Sequence, residues 1–416
     1  MPNTKRIMSQ TTFRLPLLAA ALLSAAVSHG QEWTRFRGPN GSGVSNADIP
    51  AKWTDANYAW KTKLPGVGHG SPVVWGDRVF LLCGDEASYS RTPVGLNTAD
   101  GSIAWKREFA AAKHKHHKFN SVASTTPAVD RDRVVFSWGT TERLTLAAFD
   151  HSGKPLWESD LGPVKGGHGF GASPVIYKKL VVINNDQDGD SSLIAVDKQT
   201  GDIAWEIARD SERLTYSSPV VFNSPAGGEE LIFTNWRHGI TSVNPRTGKV
   251  VWEKSVFNQM KKERAIGSPI VAGDLIIGSC GFVQNPKHIV ALRPDKSGQV
   301  AEVWRIERSV PHIPTPIVVG AYIFLWNDQG IVTCADKNTG EIFWNERVSS
   351  DTFGSPVCAK NKIFSIDKTG VVTVIAPTNK FVKLAENDLD EKCHTTPAIS
   401  GGTMYVRTYE NLIAIR

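Results

Sequence analysis

Eight Ser/Thr-Pro pairs, each opening a short apolar run, recur along the chain every 40 to 55 residues: Ser71-Pro72, Thr126-Pro127, Ser173-Pro174, Ser218-Pro219, Ser268-Pro269, Thr315-Pro316, Ser355-Pro356 and Thr396-Pro397. A second marker is interleaved with them: an apolar strand, a turn containing Gly, and a strand carrying Trp. It is plainest at residues 195–205 (AVDKQTGDIAW) and returns at 97–105, 150–157, 244–252 and 336–344, and with an insertion at 293–304. Asp or Asn followed by Thr/Ser-Gly is tight-turn chemistry, with a side-chain acceptor for backbone amides and a Gly free to take positive φ. The Trp offers a large flat surface that can wedge between neighbouring sheets. Pro fits the start of a strand, where its missing amide costs no ladder bond.

A period of that length holding about four strands belongs to a propeller, because one four-stranded blade cannot bury its own faces. The markers are also out of phase. A Trp-bearing strand around Trp60 precedes the first Ser-Pro, whereas no Trp follows the last Thr-Pro. The expectation is therefore an all-β, eight-bladed β-propeller over residues 58–416, with four-stranded antiparallel blades and seven blades as the alternative. The N-terminal strand around Trp60 should complete the last blade. Trp60, Trp105, Trp157, Trp205, Trp252, Trp304 and Trp344 are the expected docking residues between blades. One blade is degenerate: after residue 376 the Gly turn and Trp give way to Pro377, Thr378, Asn379, Lys380 and Phe381.

Residues 1–30 read as a secretory signal, with Lys5, Arg6 and Arg14 ahead of an apolar run over residues 15–27 and small residues before Gln31. Residues 31–57 then form an N-terminal extension expected to pack on the propeller. The run is short for a membrane span. The expected product is exported, soluble, and periplasmic or extracellular. Losing three basic and no acidic residues lowers the net charge from +6 to +3, too little to argue for nucleic acid. The five Cys form no C-x-x-C, and four lie in or beside apolar runs, so small buried hydrophobes are their expected role.

The pattern Ala-x-Asp-x-x-Thr-Gly-x-x-x-Trp at 195–205 resembles the docking motif of the pyrroloquinoline quinone (PQQ)-type propellers, over nearly all of residues 58–416. The opening WTRFRGPNG at residues 33–41 resembles the start of a group of secreted bacterial PQQ-like repeat proteins. The resemblance implies two functions. Some members are dehydrogenases holding PQQ and calcium in the central funnel. Others, such as the propeller lipoprotein of the outer-membrane β-barrel assembly machine (BamB), bind protein and carry no cofactor. The adjacent Cys pair frequent in alcohol-oxidising members is absent, and so is the lipidated Cys of the assembly lipoprotein.

Connections between blades and mid-blade loops should build the funnel mouth. They contribute His69, Asn120, His168, Arg213, Trp236, Arg264, His312, Trp326, His394 and Arg407, a ring suited to a polar or anionic ligand. Lys113 to Lys118 is the densest ionisable run and reads as a solvated interblade loop. Asp186, Asp188 and Asp190 alternate around Gly189 like the first half of a calcium loop, with a plain acidic turn as the competing reading. The function expected is a monomeric binding or scaffold propeller recognising a protein, a polysaccharide or a small polar ligand without catalysis. The alternatives are a PQQ-dependent oxidoreductase, with Arg213, Arg264 and Arg407 as counter-ions and Trp236 or Trp326 as a stacking surface, and a cofactor-free enzyme using a funnel His as base.

Overall fold

In the computed structural model, residues 2–3, 32–257, 263–282 and 287–416 are described. The expected secretory segment, apart from residues 2–3, lies outside them. The strands form eight sheets among the described residues, each built on four antiparallel strands that follow one another in the chain except in the last, which makes an eight-bladed β-propeller. Blade 1 is Val73–Trp75, Arg78–Gly84, Arg91–Asn97 and Ile103–Lys106; blades 2 to 7 open at Ala128, Val175, Val220, Ile270, Ile317 and Val357. Blade 8 takes Ala398–Ser400, Thr403–Arg407 and Asn411–Ile415 from the C-terminus, and Tyr58–Lys63 pairs antiparallel with Asn411–Ile415 as its outer strand. The two ends of the chain thus share one sheet, as the phase of the markers requires.

The docking indoles hold neighbouring blades by one repeated bond. The Trp60, Trp105, Trp157, Trp205, Trp304 and Trp344 Nε1–H groups donate to the carbonyls of Thr98, His151, Lys198, Pro245, Lys337 and Thr378, at 2.8 to 3.1 Å. Each acceptor lies in the turn of the next blade. The turn Gly has positive φ and also lies flat under the indole: a Cβ on Gly101, Gly153, Gly201 or Gly248 would come within 2.5 to 2.7 Å of the ring. Trp252 departs from the pattern and donates to Glu230 Oε2 in its own blade (3.1 Å). The next blade carries the insertion, and its Gly298 has nothing within 4 Å of an added Cβ. In the degenerate blade 7, Ala385 stands opposite Val374 where blade 6 has Trp344 opposite Cys334. Trp53 of the N-terminal extension supplies the missing ring. It stacks on Phe364 of blade 7 at 6.3 Å and is buried in the cluster that joins blades 7, 8 and 1.

The Ser/Thr-Pro markers meet at the axis. The amides of Ser71, Thr126, Ser218, Ser268, Thr315, Ser355 and Thr396 each donate to the hydroxyl of the corresponding Ser or Thr in the next blade, at 2.9 to 3.0 Å. Among the described residues, seven of the eight steps round the ring are bridged this way. Pro has no amide of its own, so the amide before it is the one free to cross between blades.

Residues 33–45 form a strap across the opposite end of the inner strands. Trp33 pairs with Val74 of blade 1, the Thr34 carbonyl accepts from Val129 of blade 2 (2.8 Å), and Asn40 exchanges two bonds with Val221 of blade 4. Val44–Ser45 then adds to blade 7 as a fifth strand, parallel to Val357–Ala359. Arg35 donates to the Pro219 carbonyl and Arg37 to those of Gly41 and Pro356. Burial pushes both guanidinium pKa values down to about 9, which still leaves them charged at neutral pH.

Ser355→Ala removes the acceptor of the buried Thr315 amide and should cost about 1–3 kcal/mol in urea unfolding, whereas Ser355→Thr, which keeps the hydroxyl, should stay near the parent. Deleting residues 32–63 removes the strap, Trp53 and the closing strand together. The truncated chain should lose its cooperative thermal transition; a melting curve equal to the parent's would disprove the closure.

Candidate functional site

Between the strap and the face of the interblade connections lies a cavity of about 490 Å³ on the propeller axis. Two tiers of the repeat line it. The lower tier is the hydroxyl ring, seven of whose eight members face the cavity. The upper tier is the residue two places before each marker: His69, Ser124, Gly171, Tyr216, Ile266, Ile313, Phe353 and His394, all of which line it. Phe36 of the strap also lines it. The strap converts a channel into a funnel.

Rings run in an unbroken arc around the mouth. His69 meets His394 edge-on at 4.6 Å between centroids, His394 meets Phe353 at 5.3 Å, and Phe353 meets Phe119 at 5.2 Å. Phe119 is followed by His117 at 5.3 Å, which stacks on His168 at 5.1 Å. The arc ends on Arg264, whose Nη1 and Nη2 each lie 3.2 Å from a ring nitrogen of His168. Phe119 belongs to the connection into blade 2 yet touches Phe353 of the connection into blade 7, so the Lys113–Asn120 loop reaches over the opening.

Of the ten residues singled out for the mouth, His69, Asn120, His168, Arg264, His312 and His394 line the cavity, and Arg213, Trp236, Trp326 and Arg407 do not. The reason is strand geometry. Trp326 and Arg407 end the second strand of their blades, and Trp236 follows the last residue of its own. Side chains there enter the faces between blades and not the axis. Trp236 donates to the Ser211 carbonyl and Trp326 to Ser349 Oγ, both within the apolar clusters. Arg407 is fully buried and donates to the Gly70 and Leu82 carbonyls, stapling blade 8 to blade 1. Arg213 affects His168 and Arg264 only through space.

Phe36, Phe119, Tyr216, Phe282 and Phe353 line the funnel without having been singled out. The fixed offset from Ser/Thr-Pro would have found Tyr216 and Phe353. The Lys113–Lys118 run is not wholly a solvated loop, because His117 lines the cavity and His114 is buried beside Arg91.

The three candidate calcium carboxylates serve separate ends. Buried Asp186 accepts from Asn235 Nδ2 (2.8 Å) and lies 3.4 Å from Arg209 Nε, while Asp188 Oδ1 accepts from the Leu214 amide (3.1 Å). Asp190 borders a second, smaller cavity. Among the described residues no group of three or more His, Cys, Asp or Glu converges as metal ligands. All five Cys are unpaired and buried, and burial raises the thiol pKa of each.

Electrostatically the described lining pairs neutral imidazoles with one cation, Arg264. Burial, with His394 and Arg407 nearby, lowers His69 to about 3. Burial lowers His312 to about 4 against the pull of Asp328. His394 falls to about 4 through burial and then Lys368 and Lys392. His168 and His117 are also lowered, chiefly by burial. Among the described residues no carboxylate lines the cavity.

A family model described as outer membrane protein assembly factor BamB (PQQ_2) matches residues 94–346 and 287–380, more than half of the chain. The chain belongs to this family. The BamB of Moranella endobia (strain PCIT) is 24% identical over 265 residues, covering 61% of this chain and 65% of its own. A polyvinylalcohol dehydrogenase of a Pseudomonas species is 24% identical over 348 residues, covering 76% of this chain and 49% of its own. The chain therefore spans between about half and two thirds of these curated relatives. Among solved structures, a europium-containing methanol dehydrogenase superposes with a TM-score of 0.67 at 12% identity, covering 92% of this chain and 90% of its own. At that identity the likeness establishes the shared propeller fold.

The imidazole pKa values set a pH dependence. Below pH 6.5 the unfolded chain takes up protons that His69, His312 and His394 refuse when folded. Their stabilising contribution is thus complete above about 6.5 and is lost as the pH falls toward 4. Urea midpoints measured from pH 7 to 4 should decrease, and His69→Asn/His394→Asn should show a shallower decrease over that window. An unchanged slope would mean that the two imidazoles are not buried neutral.

Proposed function

We propose that this chain is an exported binding propeller that holds a small polar ligand in its funnel, without catalysis at that site. The observation that carries the reading is a strap-closed axial cavity of about 490 Å³, inside the usual range of about 300–1,000 Å³ for small-molecule sites. Its lining is preformed: the hydroxyl ring fixes its lower tier and interlocking rings fix its mouth. A protein partner at the outer face, in the manner suggested by the assembly-factor name of the family, would use loops that leave this cavity in place.

The quinone that the dehydrogenase relatives bring to mind fits the lining poorly. PQQ is a flat tricarboxylate, whereas Arg264 is the one guanidinium among the described lining residues. The proposed counter-ion Arg407 is committed to main-chain carbonyls, and the proposed stacking indoles are enclosed in the blades. Among the described residues no carboxylate stands at the cavity wall to hold calcium.

Two measurements test the reading. A panel of small acids, amides, amines and sugars, added to the mature protein, should include ligands that raise its melting temperature. Ser124→Trp, which fills the funnel from its upper tier, should abolish those shifts. Added PQQ and calcium should change neither absorbance nor melting temperature at high micromolar concentration; a saturable change in both would favour the oxidoreductase. Export is tested by recovering the protein from the periplasm or medium of a bacterial host with Gln31 at its N-terminus.

A further inference from the structure

Of the buried arginines Arg35, Arg37, Arg264 and Arg407, one differs from the other three. Arg35, Arg37 and Arg407 donate to main-chain carbonyls of the strap and inner strands. Arg264 faces the open cavity instead, although it is only 6% exposed. Its contacts are the two nitrogens of His168 at 3.2 Å, and its Nε has no partner among the described residues. A neutral imidazole has a single acceptor nitrogen, so only one of those two contacts is a hydrogen bond. Most of the guanidinium's five donors are thus left for whatever enters the funnel.

No acid on the wall answers this charge. Asp188 acts on Arg264 and His168 through space while its Oδ1 accepts from the Leu214 amide. The flanking segments 258–262 and 283–286 (NQMKK and VQNP) contain no Asp or Glu. A buried cation with no acid in direct contact is costly, and an anionic ligand would offset that cost. The rest of the surface is planar and apolar: Phe119, Phe353, Ile266, Ile313 and Phe36 line the same space. At the rim, Lys368 Nζ lies 5.2 Å from the Phe119 ring centre and 4.9 Å from that of Phe353, and Lys118 Nζ lies 5.0 Å from Phe119. Those ammonium groups favour approach of an anion to the mouth.

We infer that the funnel's ligand is an organic monoanion, whose single oxyanion sits on Arg264 and whose planar apolar body lies along the Phe119–Phe353 wall. This inference rests on the funnel-binding reading above and names the class of ligand it takes. One guanidinium matches one carboxylate or sulfonate through a two-point fork. The ring arc supplies edge and face contacts for an aromatic body.

The test uses the mature chain and five probes: 2-naphthoate, naphthalene-2-sulfonate, the neutral 2-naphthamide, the cationic 2-naphthylmethylamine, and acetate. Calorimetry gives affinities, and the histidine Cε1–H signals report whether the funnel is occupied. Naphthoate, the sulfonate or both should bind with displaced imidazole signals, at least about tenfold more tightly than the amide, the amine and acetate. Binding of one anion and not the other identifies the oxyanion. Arg264→Met should weaken the anions by at least about tenfold while leaving naphthamide unchanged, which also shows that the funnel is intact. Arg264→Lys should recover part of the loss, and Phe353→Ala should weaken anion and amide alike. Equal binding of naphthoate and naphthamide, or anion binding indifferent to Arg264→Met, overturns the monoanion assignment while leaving a ligand-binding funnel. Acetate binding as tightly as naphthoate overturns the planar body. If no probe of any charge moves the imidazole signals, the funnel-binding reading falls and this inference falls with it.

Discussion

The bond on which the rest of the ring depends runs from one blade's Ser/Thr amide to the hydroxyl of the next. At the axis the inner strands converge too closely for large side chains, and their starting amides would be buried without partners. A hydroxyl answers each amide and keeps its own O–H for a further bond. The following Pro removes the amide that would otherwise be left facing the same crowded space. Seven such bonds among the described residues fix the radius of the ring, and with it the width of the cavity above. Six outer indole bonds hold blades to their neighbours at the rim, so most steps round the ring are tied at both ends.

The two sets of contacts explain which parts of the structure were legible in the sequence. Fold, blade number and ring closure follow from markers that every blade must repeat, and Trp60 ahead of Ser71 is enough to place the seam. The funnel was legible only in part. His69 and His394 stand two residues before a Ser/Thr-Pro, as do Tyr216 and Phe353, and that offset carries them to the axis. Trp236, Trp326 and Arg407 lie where the second strand ends, and their side chains enter the faces between blades. Polarity and loop position alone do not separate these cases; the distance from the axis, set by strand register, does. Phe119 escapes any such rule because its loop crosses over the mouth, and tertiary contact with Phe353 decides its place.

Where the repeat fails, another segment completes the interface. Blade 7 lacks a docking Trp, and the N-terminal extension inserts Trp53 against Phe364. The turn before Trp304 carries an insertion, and Trp252 finds Glu230 in its own blade. Both irregularities are visible in the sequence as departures from the period, but their remedies are not, since Trp53 and Phe364 are 311 positions apart. The strap repeats the lesson. Its Trp, Phe and Arg residues read as an extension, yet Thr34, Arg35 and Asn40 bond to blades 2 and 4 and Phe36 closes the funnel.

Blade contacts and funnel lining come from different positions of the repeat, and this separates fold from ligand. The docking Trp, the turn Gly and the Ser/Thr-Pro can all be kept while the residue two places before each Ser/Thr varies, because that side chain lines the cavity and meets at most its counterparts at the same position of the next blades. Here those positions run from His and Phe through Ile to Ser and Gly without disturbing the ring. A propeller of this family can accordingly share its architecture with a methanol dehydrogenase while its funnel lining is set by its own residues. The cation at Arg264, the neutral imidazoles around it and the lack of carboxylates among the described wall residues belong to the lining and not to the blade contacts. They set what the funnel can hold, and membership of the family sets only the ring that surrounds it.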